Sequence, residues 1–220
     1  MTTTKMPSQP LVMIGAGGHA KVLHALALAA DRSIVGVCDP QLVQQGITHW
    51  RGVPVLGGDG ALAQFDPAAV GLVNGIGQLV GSLARQEIYV RLRQLGFKFP
   101  ALIHPAAWVA PTALLGDGVQ IMAGAIVQPD CCIGENSIIN THACIDHDCQ
   151  IGAHVHIAPG ATLCGAVVVG SSCFVGSGST VIQGIRIGER AVVGAGVALV
   201  RDLTAGHTIL GAAVRKYGAI

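Results

Sequence analysis

The sequence predicts an α/β half domain followed by a parallel β-helix, and three observations carry that reading. From Val109 to Leu199 every sixth residue, sixteen positions in all, is Leu, Ile or Val. The residue after the aliphatic one is glycine at Gly116, Gly134, Gly152, Gly170 and Gly188, which are eighteen apart. Ahead of the repeat, the apolar run Leu-Val-Met-Ile at 11–14 breaks at once into Gly15-Ala16-Gly17-Gly18 and an alanine-rich stretch to about Ala30.

Neither a helix of period 3.6 nor an alternating strand places an aliphatic at every sixth residue for so long. Three hexapeptides then make one coil of a three-sided prism whose flat faces are short strands. Glycine recurring every eighteen residues is read as a corner whose φ suits glycine best. Two residues before the aliphatic stands mostly a small residue, such as Ala125, Cys131, Ser137, Ala143, Cys149, Ala161 or Cys173, which should also point inward. Aromatics at 4% suit an interior too narrow for rings.

The repeat claims only the second half of the 220 residues, so the expected domains are 1–102 and 103–220. A net charge of +1 with 11% charged residues leaves no basic footprint for nucleic acid and no polybasic patch for a membrane surface. Apolar residues reach 51% without an unbroken run long enough to span a bilayer, and MTTTKMPSQP lacks the apolar core of a signal peptide. A cytoplasmic protein is expected. Seven cysteines, three of them in the small inward slot, read as packing residues in a reducing compartment rather than a disulfide framework.

In the first half, strand, glycine turn and helix match a dinucleotide-type fingerprint with Ala20 at the third glycine place. Gly15 makes the turn, while Gly17 and Gly18 let a phosphate or sugar approach the helix N-terminus beside His19. A second strand over 33–38 ends at Asp39, expected to reach a ribose or base. A third, 71–74, leads into Gly75-Ile76-Gly77 and a helix from about Ser82 to Leu95. Only about three βα units fit, so this Rossmann-like half domain should hold one nucleotide and not NAD.

Residues 140–165 hold four of the nine histidines. His147 falls two places after the inward Ile145, at a corner, and should project outward. His156 immediately precedes the inward Ile157 and should face outward too. His147, Cys149, His154 and His156 are zinc-ligand types, but Cys149 occupies the inward slot and its sulfur should point away from the imidazoles, so no metal is expected. His142 and His154 are read as polar residues on the outer surface.

Gly15-Ala16-Gly17-Gly18-His19-Ala20-Lys21-Val22, Ile145-Asp146-His147-Asp148-Cys149 and His154-Val155-His156-Ile157-Ala158-Pro159-Gly160 occur in that order over nearly the full length. Together they resemble the sugar O-acyltransferase family, which includes sialic acid O-acetyltransferases and N-acetyltransferases of nucleotide-linked amino sugars such as bacillosamine, perosamine and viosamine. The resemblance implies a left-handed β-helix of hexapeptide repeats, a homotrimer with sites between neighbouring prisms, and acetyl-CoA as co-substrate. It implies His147 as general base with Asp148 as its acidic companion. Acetyl-CoA contacts are implied at His156, Gly165, Ser177 and Ala195, with Gly165 as a candidate oxyanion donor. Where many such chains end in a Val-Pro-Ala-like motif, this one has Gly211-Ala212-Ala213-Val214-Arg215.

The implied activity is direct transfer of acetyl from acetyl-CoA to the 4-amino group of a nucleotide-linked 4-amino-4,6-dideoxysugar, for surface polysaccharide or glycan assembly. O-acetylation of sialic acid or a related sugar is the alternative, and a nucleotide-binding scaffold without catalysis is a third reading. The glycine turn favours the nucleotide-linked substrate, with Gly15, Gly17, Gly18, His19, Asp39, Gly75 and Gly77 as its expected contacts. The His147-Asp148 pair argues against a scaffold.

Overall fold

The computed structural model describes residues 9–211, in which an α/β sheet domain is docked on one face of a β-helix. The unusual C-terminal segment from Ala212 onward lies outside the described residues. In the first domain β1 (Leu11–Ile14), β2 (Ile34–Cys38), β3 (His49–Trp50), β4 (Val53–Gly57) and β5 (Gly71–Asn74) form one sheet in the order β3-β4-β2-β1-β5. All neighbours are parallel except the β3–β4 hairpin. Helix α1 (Gly18–Ala29) follows β1, α2 (Pro40–Gln44) follows β2 and α3 (Ala84–Gln94) follows β5. The glycine turn after β1 and the loop after β5 therefore meet at the C-terminal ends of adjacent strands, where the strand order reverses and α/β sheets bind their ligands.

Residues 40–64 contain elements the sequence pattern did not signal. Pro54 and four glycines, Gly46, Gly52, Gly57 and Gly58, interrupt the apolar alternation of the hairpin. Helix α2 has five residues and no buried side chain, so it carries no periodic signal.

From Leu102 to Ile209 the chain winds through two-residue strands that stack into three parallel sheets of seven, six and five strands. This is the left-handed parallel β-helix of hexapeptide repeats expected from the resemblance. In each strand the second residue is the inward aliphatic: Ile121, Val127, Ile139, Ile145, Ile157, Leu163, Val175 and Val181 are all fully buried. The small slot two residues earlier is buried as well, and its polar members find partners. The Sγ groups of Cys131, Cys149 and Cys173 donate to the carbonyls of Asp146, Cys164 and Gly188 at 3.0, 3.3 and 3.0 Å, and Ser137 Oγ donates to Gly152 at 3.0 Å. The sulfur of Cys149 thus lies inside the prism, away from the imidazoles.

The glycines eighteen apart are explained differently from the turn geometry expected of them. None of Gly116, Gly134, Gly152, Gly170 or Gly188 has a positive φ. Each instead lies against the backbone of the next coil: a Cβ on Gly152 would meet Ser171 N at 2.7 Å, and one on Gly170 would meet Glu189 N at 2.6 Å. The left-handed residue of that corner comes two places later, at Gly118, Asn136, His154, Ser172 and Arg190. Asp130, Asp148 and Ala166 take the same role at another corner. Asn, Asp and His are the side chains that tolerate this region best.

The prism has three outer faces, and the first domain covers one. On that face the outward residues are Leu102, Gln120, Ile138 and His156, all at or below 9% exposure. Leu102, Met122 and Ile138 pack with Leu23, Leu26 and Ala27 of α1. Tyr89 of α3 donates to Glu135 at 3.0 Å, and Arg93 pairs with Asp117 at 3.0 Å.

Two substitutions separate close approach from turn geometry. Gly152→Ala should lower unfolding free energy by about 1–3 kcal/mol, the usual cost of forcing atoms into a filled site. Asp130→Gly relieves a left-handed residue while loosening the unfolded chain, so it should stay within about 0.5 kcal/mol of the parent. Denaturant titration measures both, and the reverse ordering would restore the turn explanation.

Candidate functional site

A cleft of about 910 Å³ opens at the strand ends of the first domain, lined by Gly15 to His19, Asp39, Gly75 to Leu79 and, from the prism, His156. Its walls depend on two glycines. Gly15 has φ 86°, and a Cβ on Gly75 would sit 2.8 Å from Ile14 O and 2.9 Å from Gly15 O. At Gly17 a Cβ would meet nothing within 4 Å, so that position faces open space. The N–H groups of Gly18, His19 and Ala20 find no acceptor among the described residues, since the first helical bond is Lys21 N to Gly17 O. They leave the N-terminus of α1 free to take an anion.

Asp39 lines this cleft, but its carboxylate is already engaged. Oδ1 accepts from Gln41 N at 2.8 Å and Leu42 N at 3.0 Å, capping α2, while Oδ2 accepts from Ala16 N at 2.8 Å. These three backbone donors add a structural role to the expected reach to a ribose. The carboxylate ties the glycine turn to the start of α2.

From His19 a buried polar network runs on and joins the two domains. Gln120 Nε2 donates to Asn74 O at 2.9 Å, so its Oε1 is the atom facing His19 Nε2 at 2.8 Å. His19 must therefore carry its proton on Nε2 and keep a lone pair on Nδ1. Burial, with Arg85 nearby, pushes the His19 pKa down to about 4, and the ring is neutral at neutral pH. Asn74 Nδ2 continues the network to Arg85 O at 3.0 Å and Asn136 Oδ1 at 3.2 Å. Arg85, 2% exposed, gives its guanidinium to the carbonyls of Asn74, Ile76 and Asn136. Burial lowers its pKa to about 9, which leaves it charged at neutral pH.

His156 departs from its expected exposure. It does point out of the prism, but the first domain covers it to 9% exposure, and its ring meets Phe174 edge-on at 4.9 Å. Asn140 Oδ1 accepts from Thr141 N at 2.8 Å, so Asn140 Nδ2 is the donor to His156 Nε2 at 3.0 Å. The proton then sits on Nδ1, which is buried without a partner; the Gln78 backbone lies beside it but out of hydrogen-bonding geometry. Burial pushes this pKa down to about 4 as well. A neutral ring therefore lines the cleft, with its Nδ1–H buried beside the Gln78 backbone.

His147 lies elsewhere. It follows the strand Cys144–Ile145 of one uncovered face and precedes Gln150–Ile151 of the other, so it stands on the corner away from the docked domain. Its side chain is 59% exposed and Nδ1 meets Asp148 Oδ2 at 2.7 Å, which fixes Nε2 as the free nitrogen. The hydrogen bond that Nδ1 donates to Asp148, then the charge of Asp146, raises its pKa. One coil on, a Cβ at Gly165 would lie 2.6 Å from His147 Cε1 and 2.7 Å from Nε2, so only glycine leaves room for the ring. The Gly165 N–H has no partner among the described residues. The corner thus combines a base with a free backbone donor.

Ser177 and Ala195 lie in further coils, outside the cleft. His142 and His154, expected as polar residues on the outer surface, are both left-handed corner residues. His154, 9% exposed, is a docking residue: its Nδ1 meets Asn136 Nδ2 at 3.0 Å, its carbonyl accepts from Gln78 Nε2 at 2.8 Å, and its ring lies edge-on to Tyr89. Gln120, Asn74, Gln78, Arg85 and Asn140 were not singled out by motif. The available signal was the run of outward residues Leu102, Gln120, Ile138 and His156, one side of the prism with no charge on it.

Residues 10–92 match the PglD N-terminal domain family, residues 112–147 and 133–165 the bacterial transferase hexapeptide (six repeats) family, and residues 166–201 the hexapeptide repeat of succinyl-transferase family. No curated protein sequence matches significantly. Among solved structures, a point mutant of GDP-perosamine N-acetyl transferase from Caulobacter crescentus, in complex with CoA and GDP-perosamine, is 37% identical. The alignment covers 92% of this chain and 93% of that one, with a TM-score of 0.83. The acetyltransferase domain of PglB from Neisseria gonorrhoeae, in complex with acetyl coenzyme A, is 36% identical over 92% and 96% of the two chains, TM-score 0.84. WeeI from Acinetobacter baumannii shares the fold at 22% identity, over 92% and 96%, TM-score 0.81.

The two neutral imidazoles make stability depend on pH. Their folded pKa values lie below the ordinary 6.5, so the unfolded chain takes up protons that the folded chain refuses. Stability should be full above about pH 6.5 and fall between there and pH 4, by at most about 1.4 kcal/mol per pH unit for each ring. Denaturant titrations across that range, with His19→Gln removing one contribution, measure the slope. A flat profile in the parent would mean that the rings are not held neutral.

Proposed function

The chain belongs to the family of hexapeptide-repeat sugar N-acetyltransferases with a PglD-type N-terminal domain, and from that premise we propose that it transfers acetyl from acetyl-CoA to the 4-amino group of a nucleotide-linked 4-amino-4,6-dideoxysugar. The observation that carries the reading is the outward His147–Asp148 pair at 2.7 Å beside the unpaired Gly165 N–H. The similarity to an enzyme crystallised with CoA and GDP-perosamine supports the substrate class.

The nucleotide part lies in the cleft, its phosphates at the free N–H groups of Gly18, His19 and Ala20. The glycine turn has no comparable use for a free sugar, which favours this substrate over O-acetylation of sialic acid. His147, on a different corner, cannot line the cleft of its own chain. A second copy therefore brings its His147 corner to this cleft, and a closed ring of three copies satisfies every such contact once. Acetyl-CoA lies between the prisms, with His156 at the sugar end and Ser177 and Ala195 along its length.

In the transfer, the neutral amine attacks the thioester carbonyl carbon. His147 Nε2 takes the proton the nitrogen sheds, and Asp148 stabilises the imidazolium from the Nδ1 side. The Gly165 N–H donates to the oxyanion. The C–S bond then breaks, and the proton returns from His147 to the leaving thiolate. No acyl-enzyme is needed, and Cys149 is inside the prism.

Three measurements test this. His147→Ala should lower kcat by about 10²–10⁴ fold with the fold intact, and near-parental turnover would remove it from the mechanism. Because His147 must be neutral and its pKa is raised, kcat/KM should fall on acidification through a pKa above the ordinary 6.5; Asp148→Asn should move that limb to lower pH. Gly17→Val, which fills the open cleft, should abolish nucleotide-sugar binding, and mixing it with the His147→Ala chain should restore activity through mixed interfaces. Activity in isolated monomers would sink the shared site.

A further inference from the structure

On the far side of the Gln78–Leu83 loop lies a second cavity of about 270 Å³, between α3 and the prism. It is separate from the nucleotide cleft and from the His147 corner. Its lining combines apolar Leu79, Val80, Phe174 and Val192 with polar Arg85, Gln86, Ser172 and Arg190. None of the described residues lining it is acidic.

Its electrostatics are one-sided. Arg85 is a buried cation with no carboxylate partner among the described residues: its hydrogen bonds at 2.8 to 3.4 Å all go to carbonyl oxygens. Burying an ion without an opposite charge is costly, and carbonyl dipoles offset only part of that. The backbone N–H groups of Arg85 and Gln86, in the first turn of α3, have no acceptor among the described residues, because the first helical bond is Glu87 N to Leu83 O. Ser172 Oγ donates to the Gln86 side-chain oxygen at 3.1 Å, both residues lining the cavity. Arg190, exposed and at a left-handed corner with φ 56°, adds a second cation to the lining.

We propose that this cavity is a second binding site, for a small phosphate monoester or carboxylate that carries an apolar group. The anion meets Arg190 and the free N–H groups at the start of α3 and supplies the charge that Arg85 lacks. The apolar part lies against Phe174 and Val192. The volume suits a ligand smaller than a nucleotide. Gln78, Leu79 and Ser82 line both this cavity and the nucleotide cleft, so occupancy here bears on the loop that walls the cleft.

The test is calorimetric titration of phenyl phosphate, benzoate and inorganic phosphate into the full chain, its Gly17→Val variant and its Arg190→Glu variant. Arg190 is on the surface, so its replacement leaves the fold intact, checked by circular dichroism. One saturable site per chain for phenyl phosphate or benzoate is expected, unchanged in Gly17→Val and weakened roughly tenfold or more in Arg190→Glu, as for a lost charge-assisted contact. Weaker binding of inorganic phosphate would confirm the apolar half. Absence of saturable binding, or loss in Gly17→Val with retention in Arg190→Glu, overturns the proposal. The readout is binding without turnover, so it stands or falls independently of the transfer reaction.

Discussion

A coil of eighteen residues is too tight to hold anything but its own side chains. Its interior is filled by stacked aliphatics and by Ala, Cys and Ser whose polar atoms bond to backbone carbonyls, so the prism has flat outsides and no pocket. Concavity has to come from a second body laid against it. The first domain provides that on one face, and the cleft exists because Gly15, Gly75 and Gly77 let two loops approach while His156 closes the floor. The His147 corner is left uncovered for the same reason: one docked domain shields one face of three.

The docking itself is polar at its centre. Arg85, Asn74, Gln120, Asn136 and His154 exchange hydrogen bonds under the sheet, ringed by apolar contacts from α1 and by Tyr89 and Phe99. Such a network adds less stability than an apolar seam of equal area, but it fixes orientation, since each member is satisfied in one arrangement only. Orientation matters here because the network ends at His19, whose proton is assigned by Gln120.

The repeat was legible because a period of six has no competing explanation. The same pattern located the outward position of His147 and the inward one of Cys149. It misassigned the reason for the glycines eighteen apart, since left-handed φ and backbone contact both ask for glycine. The true left-handed corners are diluted by Asn136, His154, Ser172 and Arg190. The burial of His156 was not legible either, because its cover comes from residues more than seventy positions earlier. Asp39 followed the strand end as expected, and its bonds to Ala16, Gln41 and Leu42 show a capping role that the sequence pattern did not signal.

The burial of His156 changes how the two substrates are divided. Were it on an open face, it could serve acetyl-CoA alone and leave the nucleotide to the first domain. Its ring instead lines the cleft together with Gly15 and His19, with Phe174 and Asn140 fixing it. On the proposed reaction this imidazole borders both substrates, and loss of His156 should weaken both ligands where loss of Gly17 weakens one. A buried N–H without a protein partner carries a desolvation cost of about 1–3 kcal/mol, which a substrate acceptor would relieve on binding.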